Sequence, residues 1–169
     1  MSGVVVWLTG KPSSGKTTMA QHVASVLQRQ GTPVCVLDGD EVRTAMVPKP
    51  GYDPKTRDEF YATLANVAAL LARQGLVVLV SATAYLRGFR DRARSVAPSF
   101  VEVYVHASQE EVERRDSKGL YKAVHAGRIS GVPGADIVFE EPLAPEVRAD
   151  GGKDEAAVEK LLAVIAERT

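Results

Sequence analysis

Residues 4–17 read VVVWLTGKPSSGKT, and the rest of the chain can be ordered around them. Val4 to Thr9 is a run of mostly β-branched and aromatic residues with no polar alternation, which predicts a strand buried on both faces. Trp7 belongs to the core on that reading. The run breaks at Gly10. From Lys16 the period changes, with Met19, Val23, Val26 and Leu27 at helical spacing until Gly31 stops the helix. The stretch is strand, glycine-rich turn, helix.

Residues 10–17, GKPSSGKT, satisfy Gly-x-x-x-x-Gly-Lys-Ser/Thr in full and sit in the strand-to-helix setting that the motif's mechanism requires. The glycines let the backbone curl so that N–H groups point into one concavity, to which the following helix adds its positive end. Lys16 is placed to reach the β- and γ-phosphates of ATP, and the Thr17 hydroxyl to ligate Mg²⁺. The residues assigned to ATP are Gly10, Lys11, Pro12, Ser13, Ser14, Gly15, Lys16, Thr17 and Thr18. A GTPase would show Asn-Lys-x-Asp, yet the only asparagine is Asn66, inside a helical pattern. No strand ends in Asp-Glu, as a water-activating motor ATPase would require. A small kinase passing phosphate to a bound acceptor remains.

Downstream, Pro33 to Leu37 and Leu76 to Val80 read as buried strands, Phe100 to Val105 as a fourth, and Ile137 to Phe139 as a short fifth. Asp58 to Arg73 carries Leu64, Val67, Ala68 and Leu71 on one helical face, and Glu155 to Arg168 repeats Val158, Leu161, Leu162 and Ile165. Strands alternating with helices predict an α/β class: a three-layer P-loop fold whose parallel sheet is flanked by helices. Residues 1–169 read as a single kinase domain. Two stretches depart from regular pattern: Val47 to Thr56, with three prolines, and Arg114 to Pro145, read as a lid.

Composition is consistent with that picture. At 45% apolar and 25% charged, with no net charge, 169 residues can build one core and offer no bulk signal for nucleic acid or membrane. Cys35 has no partner cysteine and reads as filler in a buried strand; a reducing, cytoplasmic compartment is expected. His22, His106 and His125 are not clustered at metal-ligand spacing.

Asp38-Gly39-Asp40 follows directly on the second strand, at the carboxyl end where open α/β sheets place their ligands. Asp38 is a candidate to hold Mg²⁺ or to take the acceptor's proton, and Gly39 leaves room for substrate. The alternative is that one aspartate caps a helix starting near Glu41. Arg43 follows one turn later and aims at the same cleft, where a bidentate grip on phosphate or sulfate is natural; a solvated surface arginine is the alternative. The segment 114–128, RRDSKGLYKAVHAGR, carries five Arg or Lys against one Asp and could fold over phosphates, though many charge runs are only solvated faces.

GKPSSGKT, then LDGDEVR at 37–43, FVEVYV at 100–105 and RDSKGLYKA at 115–123 together resemble the adenylylsulfate kinases along nearly the whole chain. The resemblance implies transfer of the γ-phosphate of ATP to the 3′-hydroxyl of adenosine 5′-phosphosulfate, giving PAPS, in a cytoplasmic homodimer. It implies Asp38 at the Mg²⁺ and acceptor hydroxyl, and Asp40, Arg43, Arg57, Lys118 and Leu120 at the acceptor. Tyr52 would stack on the acceptor adenine, and Arg115 would serve ATP. Two positions depart from the family pattern. Phe60 replaces an asparagine, and Ala84 stands where the family carries a serine sometimes labelled a phosphorylated intermediate, so a covalent serine there is excluded. Both changes fall on the acceptor side, which leaves open a same-fold kinase for another nucleotide or small phosphorylated metabolite, or a non-catalytic nucleotide-binding regulator. The intact Lys16, Thr17 and Asp38 argue against the last.

Overall fold

A computed structural model describes all 169 residues. Strand β1, Val4–Thr9, is buried throughout and leads through the glycine-rich turn into α1, Lys16–Arg29. Strand β2, Val34–Asp38, is followed at once by α2, Gly39–Ala45. Helix α3, Pro54–Arg73, starts with proline behind an Asp53 cap, two features that fix a helix N-terminus, and leads to β3, Val77–Ser81. Next come α4, Arg87–Val96, and β4, Phe100–His106. The short helices α5, Gln109–Arg115, and α6, Leu120–His125, precede β5, Val147–Asp150, and α7, Glu155–Arg168.

The five strands form one parallel sheet in the order β2-β3-β1-β4-β5. Successive strand residues point to opposite faces, and here both faces are covered. Val4, Val6 and Leu8 pack with α1 and α7, while Val5 and Trp7 pack with α3 and α4. Trp7 has no exposed surface, as its sequence setting predicts. The register aligns Leu8 with Ser81 and Ser81 with Asp38, so one row of residues marks the carboxyl edge of the sheet.

Two expectations change, and one helix went unread. The fifth strand is Val147–Asp150, beside β4; Ile137 makes only an isolated bridge with Pro133, and Phe139 drops into the core. VRAD is four residues long and alternates buried with exposed, too short and too charged to stand out in the sequence. Cys35 is half-buried because β2 is the sheet's edge, and burial still raises its thiol pKa. Helix α4, RGFRDRARSV, carries Phe89, Ala93 and Val96 at helical spacing, and Phe89, Arg90 and Ala93 are its buried residues.

Candidate active site

The glycine-rich turn is tightly wound. Gly15 sits at φ 107°, and a Cβ there would lie 2.5 Å from Gly152 N, so glycine is required both by conformation and by the close approach of the 151–152 backbone. Lys16 Nζ donates to the carbonyls of Gly10 at 2.8 Å and Lys11 at 3.0 Å. Desolvation lowers its pKa to about 7, aided by the Lys118 charge and opposed by Asp40 and Asp38. Its charge is thus poorly compensated by the protein alone, which suits a group meant to meet anionic oxygens. Lys11 turns its own side chain away to Gln109 Oε1, 3.0 Å distant, and offers the cleft only its backbone. Ser14 is buried with an unpaired hydroxyl.

Asp38 ends β2 beside this turn. Its Oδ2 accepts from Thr17 Oγ1 at 2.9 Å, while Oδ1 accepts from the N–H groups of Asp40 and Glu41 at 3.0 and 3.3 Å. The capping reading of the DGD motif therefore holds, with Asp38 as the cap and α2 starting at Gly39 and not near Glu41, and the same carboxylate touches the phosphate turn. Ser81 Oγ lies 3.2 Å from Thr17 Oγ1.

Arg43 is 5% exposed, which removes the solvated-arginine alternative. Its guanidinium lies between two rings, 4.4 Å from the Tyr52 centroid and 4.1 Å from that of Phe60, and Nη1 donates to Gly51 O at 2.8 Å. Arg57 lies 5.3 Å from the Tyr85 ring and 5.7 Å from that of Tyr52, and donates to Gly131 O at 2.6 Å. Cations, aromatic faces and carbonyls thus form one wall.

The segment after β4 lies against the glycine-rich turn. Ser117 N donates to Ser13 Oγ at 3.2 Å, Arg115 Nη1 to Ser13 O at 3.4 Å, and Tyr121 Oη to Pro12 O at 2.9 Å. Lys118 pairs with Asp40. The stretch 114–145 is partly helical, since the end of α5 and all of α6 fall within it.

All of these groups surround one cavity of about 1040 Å³, ample for two nucleotide-sized molecules. Pro12, Ser13, Gly15, Lys16, Thr17, Thr18, Asp38, Asp40, Arg43, Tyr52, Arg57, Arg115, Lys118 and Leu120 line it; Gly10, Lys11 and Ser14, also assigned to ATP from sequence, do not. Sequence reading missed Ser81, Tyr61, Tyr85 and the Asp150–Lys153 turn, which also line it. Ser81 carried a signal, because it ends the strand next to β1; the turn did not, because its strand went unread.

A phosphate-binding turn between strand and helix, with a carboxylate on the neighbouring strand end and a second cationic wall across one cavity, defines a P-loop kinase, a phosphotransferase. The chain belongs to the adenylylsulphate kinase family, whose model matches residues 2–150. The adenylyl-sulfate kinase of Picosynechococcus sp. is 41% identical over 167 residues, covering 98% of this chain and 94% of its own. That of Gloeothece citriformis is 42% identical over 162 residues, covering 95% and 92%. The Mycobacterium tuberculosis APS kinase CysC, solved in complex with AMPPNP and APS, superposes with a TM-score of 0.89 at 36% identity over 98% of each chain.

Proposed function

We propose that the chain transfers the γ-phosphoryl group of ATP to the 3′-hydroxyl of adenosine 5′-phosphosulfate, giving PAPS and ADP. One observation carries the reading: Asp38 touches Thr17 of the phosphate turn and also heads the helix that brings Arg43 to the opposite wall. Donor and acceptor halves thus meet at one carboxylate. ATP takes the turn, where Lys16 exchanges its two carbonyl partners for β- and γ-phosphate oxygens and regains full charge. Arg115, from the segment packed on Ser13, serves the same nucleotide. Arg43 and Arg57 hold the acceptor's phosphosulfate, Tyr52 offers a ring face to its adenine, and Asp40, Lys118 and Leu120 close over it.

The acceptor oxygen then bonds to the γ-phosphorus as the bond to the β–γ bridging oxygen breaks, and the hydroxyl proton passes to Asp38. Positioning and charge neutralisation supply most of the rate, so the absence of a serine at Ala84 costs nothing in this scheme.

Thr17 and Asp38 fit Mg²⁺: a hydroxyl and a carboxylate oxygen 2.9 Å apart beside the phosphate turn form the sparse all-oxygen set that this ion accepts, with phosphate and water completing its shell. An ion held there by Thr17 and Asp38 would neutralise charge on the transferring phosphate.

Residues 1–169 act as one kinase domain, with a lid at about 114–145. A cytoplasmic homodimer is the assembly that family likeness supports, and no helix is long and apolar enough to cross a membrane. Phe60, 2% exposed against Arg43, favours a second reading in which the acceptor is a different nucleotide. ADP release with ATP, Mg²⁺ and a panel of adenylylsulfate, AMP, other nucleoside monophosphates and sugars separates them. Turnover on AMP but not adenylylsulfate would sink the first reading; silence on every acceptor would favour the regulator.

A further inference from the structure

The loop leaving β3 contains a strained residue held from both sides. Ala84 has φ 42°, in the left-handed region that is unfavourable for a residue with a Cβ. Its N–H donates to Tyr61 Oη at 3.1 Å, and its carbonyl accepts from Arg90 Nη1 at 2.5 Å. Ala84 is fully buried, while its neighbours Ala82, Thr83 and Tyr85 line the cavity on the acceptor side. Of the residues in this clamp only Tyr61 lines the cavity; Ala84 and Arg90 act on the wall from behind it.

Arg90 is 1% exposed and does not line the cavity. Besides the Ala84 carbonyl it donates to Glu102 Oε2 of β4, at 3.0 Å, and to Glu140 O, at 2.6 Å. Burying a guanidinium costs several kcal/mol even when paired, and an apolar residue would fill this space at no such cost. What the guanidinium provides is a rigid fork bonded to three separate chain segments at once. Tyr61 is equally fixed, stacked on Phe89 at 4.6 Å and edge-on to Phe60 at 5.4 Å. Upstream, Thr9 Oγ1 holds the Thr83 carbonyl at 2.5 Å. Downstream, Tyr85 faces the Arg57 guanidinium.

We infer that Arg90 is a positioning residue for the phosphoryl acceptor: with Tyr61 it holds the Ala84 peptide in its strained form and so sets the wall from Ala82 to Tyr85 against which the acceptor lies. The inference rests on the proposed assignment of that wall to the acceptor. The phosphate turn is held by other contacts, Lys16 Nζ to the Gly10 and Lys11 carbonyls and Tyr121 Oη to Pro12 O, none of which involves Arg90 or Tyr61.

The test is Arg90→Lys in the full chain. A lysine keeps a charge for Glu102 but cannot also reach the Ala84 and Glu140 carbonyls. Expected are a rise of about tenfold in the KM for acceptor, from the loss of a charge-assisted hydrogen bond, and an ATP KM within about twofold of the parent. Amide hydrogen exchange should rise in segment 82–86 and stay unchanged in 10–17. Equal changes in both KM values, or unchanged exchange in segment 82–86 of the folded variant, would overturn the inference. If Arg90→Lys does not fold, Tyr61→Phe removes the other half of the clamp by deleting one oxygen, and the same exchange result decides. A parent enzyme inactive on adenylylsulfate would contradict the proposed function instead, and the exchange readout would still decide the clamp.

Discussion

Thr17 Oγ1 donates to Asp38 Oδ2 at 2.9 Å, while the other oxygen of Asp38 caps α2. The side chain that meets the phosphate turn is thereby fixed by the start of the helix that carries Arg43. Any change at Asp38 must be judged on both jobs.

Asparagine caps a helix about as well as aspartate does, so Asp38→Asn should keep α2 and leave melting temperature nearly unchanged. It cannot accept the acceptor's proton or supply the carboxylate charge. ATP binding, read by titration calorimetry, should persist while ADP release falls by about 10²-fold or more. Transfer at the parent rate would show that Asp38 is a cap and nothing else.

Gly152, in the turn that follows β5, lies against the phosphate turn. A Cβ added there would lie 2.5 Å from Gly15 O and 3.0 Å from Thr18 Cβ. The nearer contact is with backbone, which cannot rotate away, so Gly152→Ala should displace the turn itself. A shift of this kind can cost up to about 10²-fold. We expect the ATP KM to rise by about tenfold or more with the acceptor KM little changed; an unaltered ATP KM would mean the turn adapts without loss.

Asp154 caps α7 through Ala157 N at 3.1 Å and also accepts from Asp150 N at 2.9 Å. Those backbone hydrogen bonds, that from Asp150 first, hold its carboxyl below the ordinary carboxylate range. A pKa lowered by folding contributes stability above the unfolded value, and that contribution is lost as pH falls through the folded one. Melting temperature should therefore drop on acidification below about pH 4, and Asp154→Asn, which does not titrate, should show a shallower drop. Parallel curves for the two proteins would remove Asp154 from the account.

The parts of this fold written in short-range pattern were legible. VVVWLT, the eight-residue turn and α1 are contiguous, and each signals itself through period or glycine placement. The DGD motif was legible because strand ends and ligand sites coincide in α/β sheets. What escaped depends on distant partners. Arg43 is buried by Tyr52 and Phe60, from the loop after its own helix and from α3, and helical spacing alone could not tell a sandwiched arginine from a solvated one. Arg90 sits in a helix with four arginines, and the helical spacing of Phe89, Ala93 and Val96 does not tell which of them is buried; Arg90 is, because Glu102 and two carbonyls meet it there. Ala84 reads in sequence only as a departure from a family pattern, and its strained backbone shapes the wall formed by its neighbours Thr83 and Tyr85.

The central claim is that this P-loop kinase uses adenylylsulfate as its acceptor. The most direct measurement is the ratio of kcat/KM for adenylylsulfate to that for AMP, with ATP and Mg²⁺ saturating and the product identified by phosphorus NMR. A wall that grips a phosphosulfate with Arg43 and Arg57 should favour adenylylsulfate by about 10²-fold or more and yield a new 3′-phosphate. A ratio at or below unity, or a phosphate added elsewhere, would contradict the account.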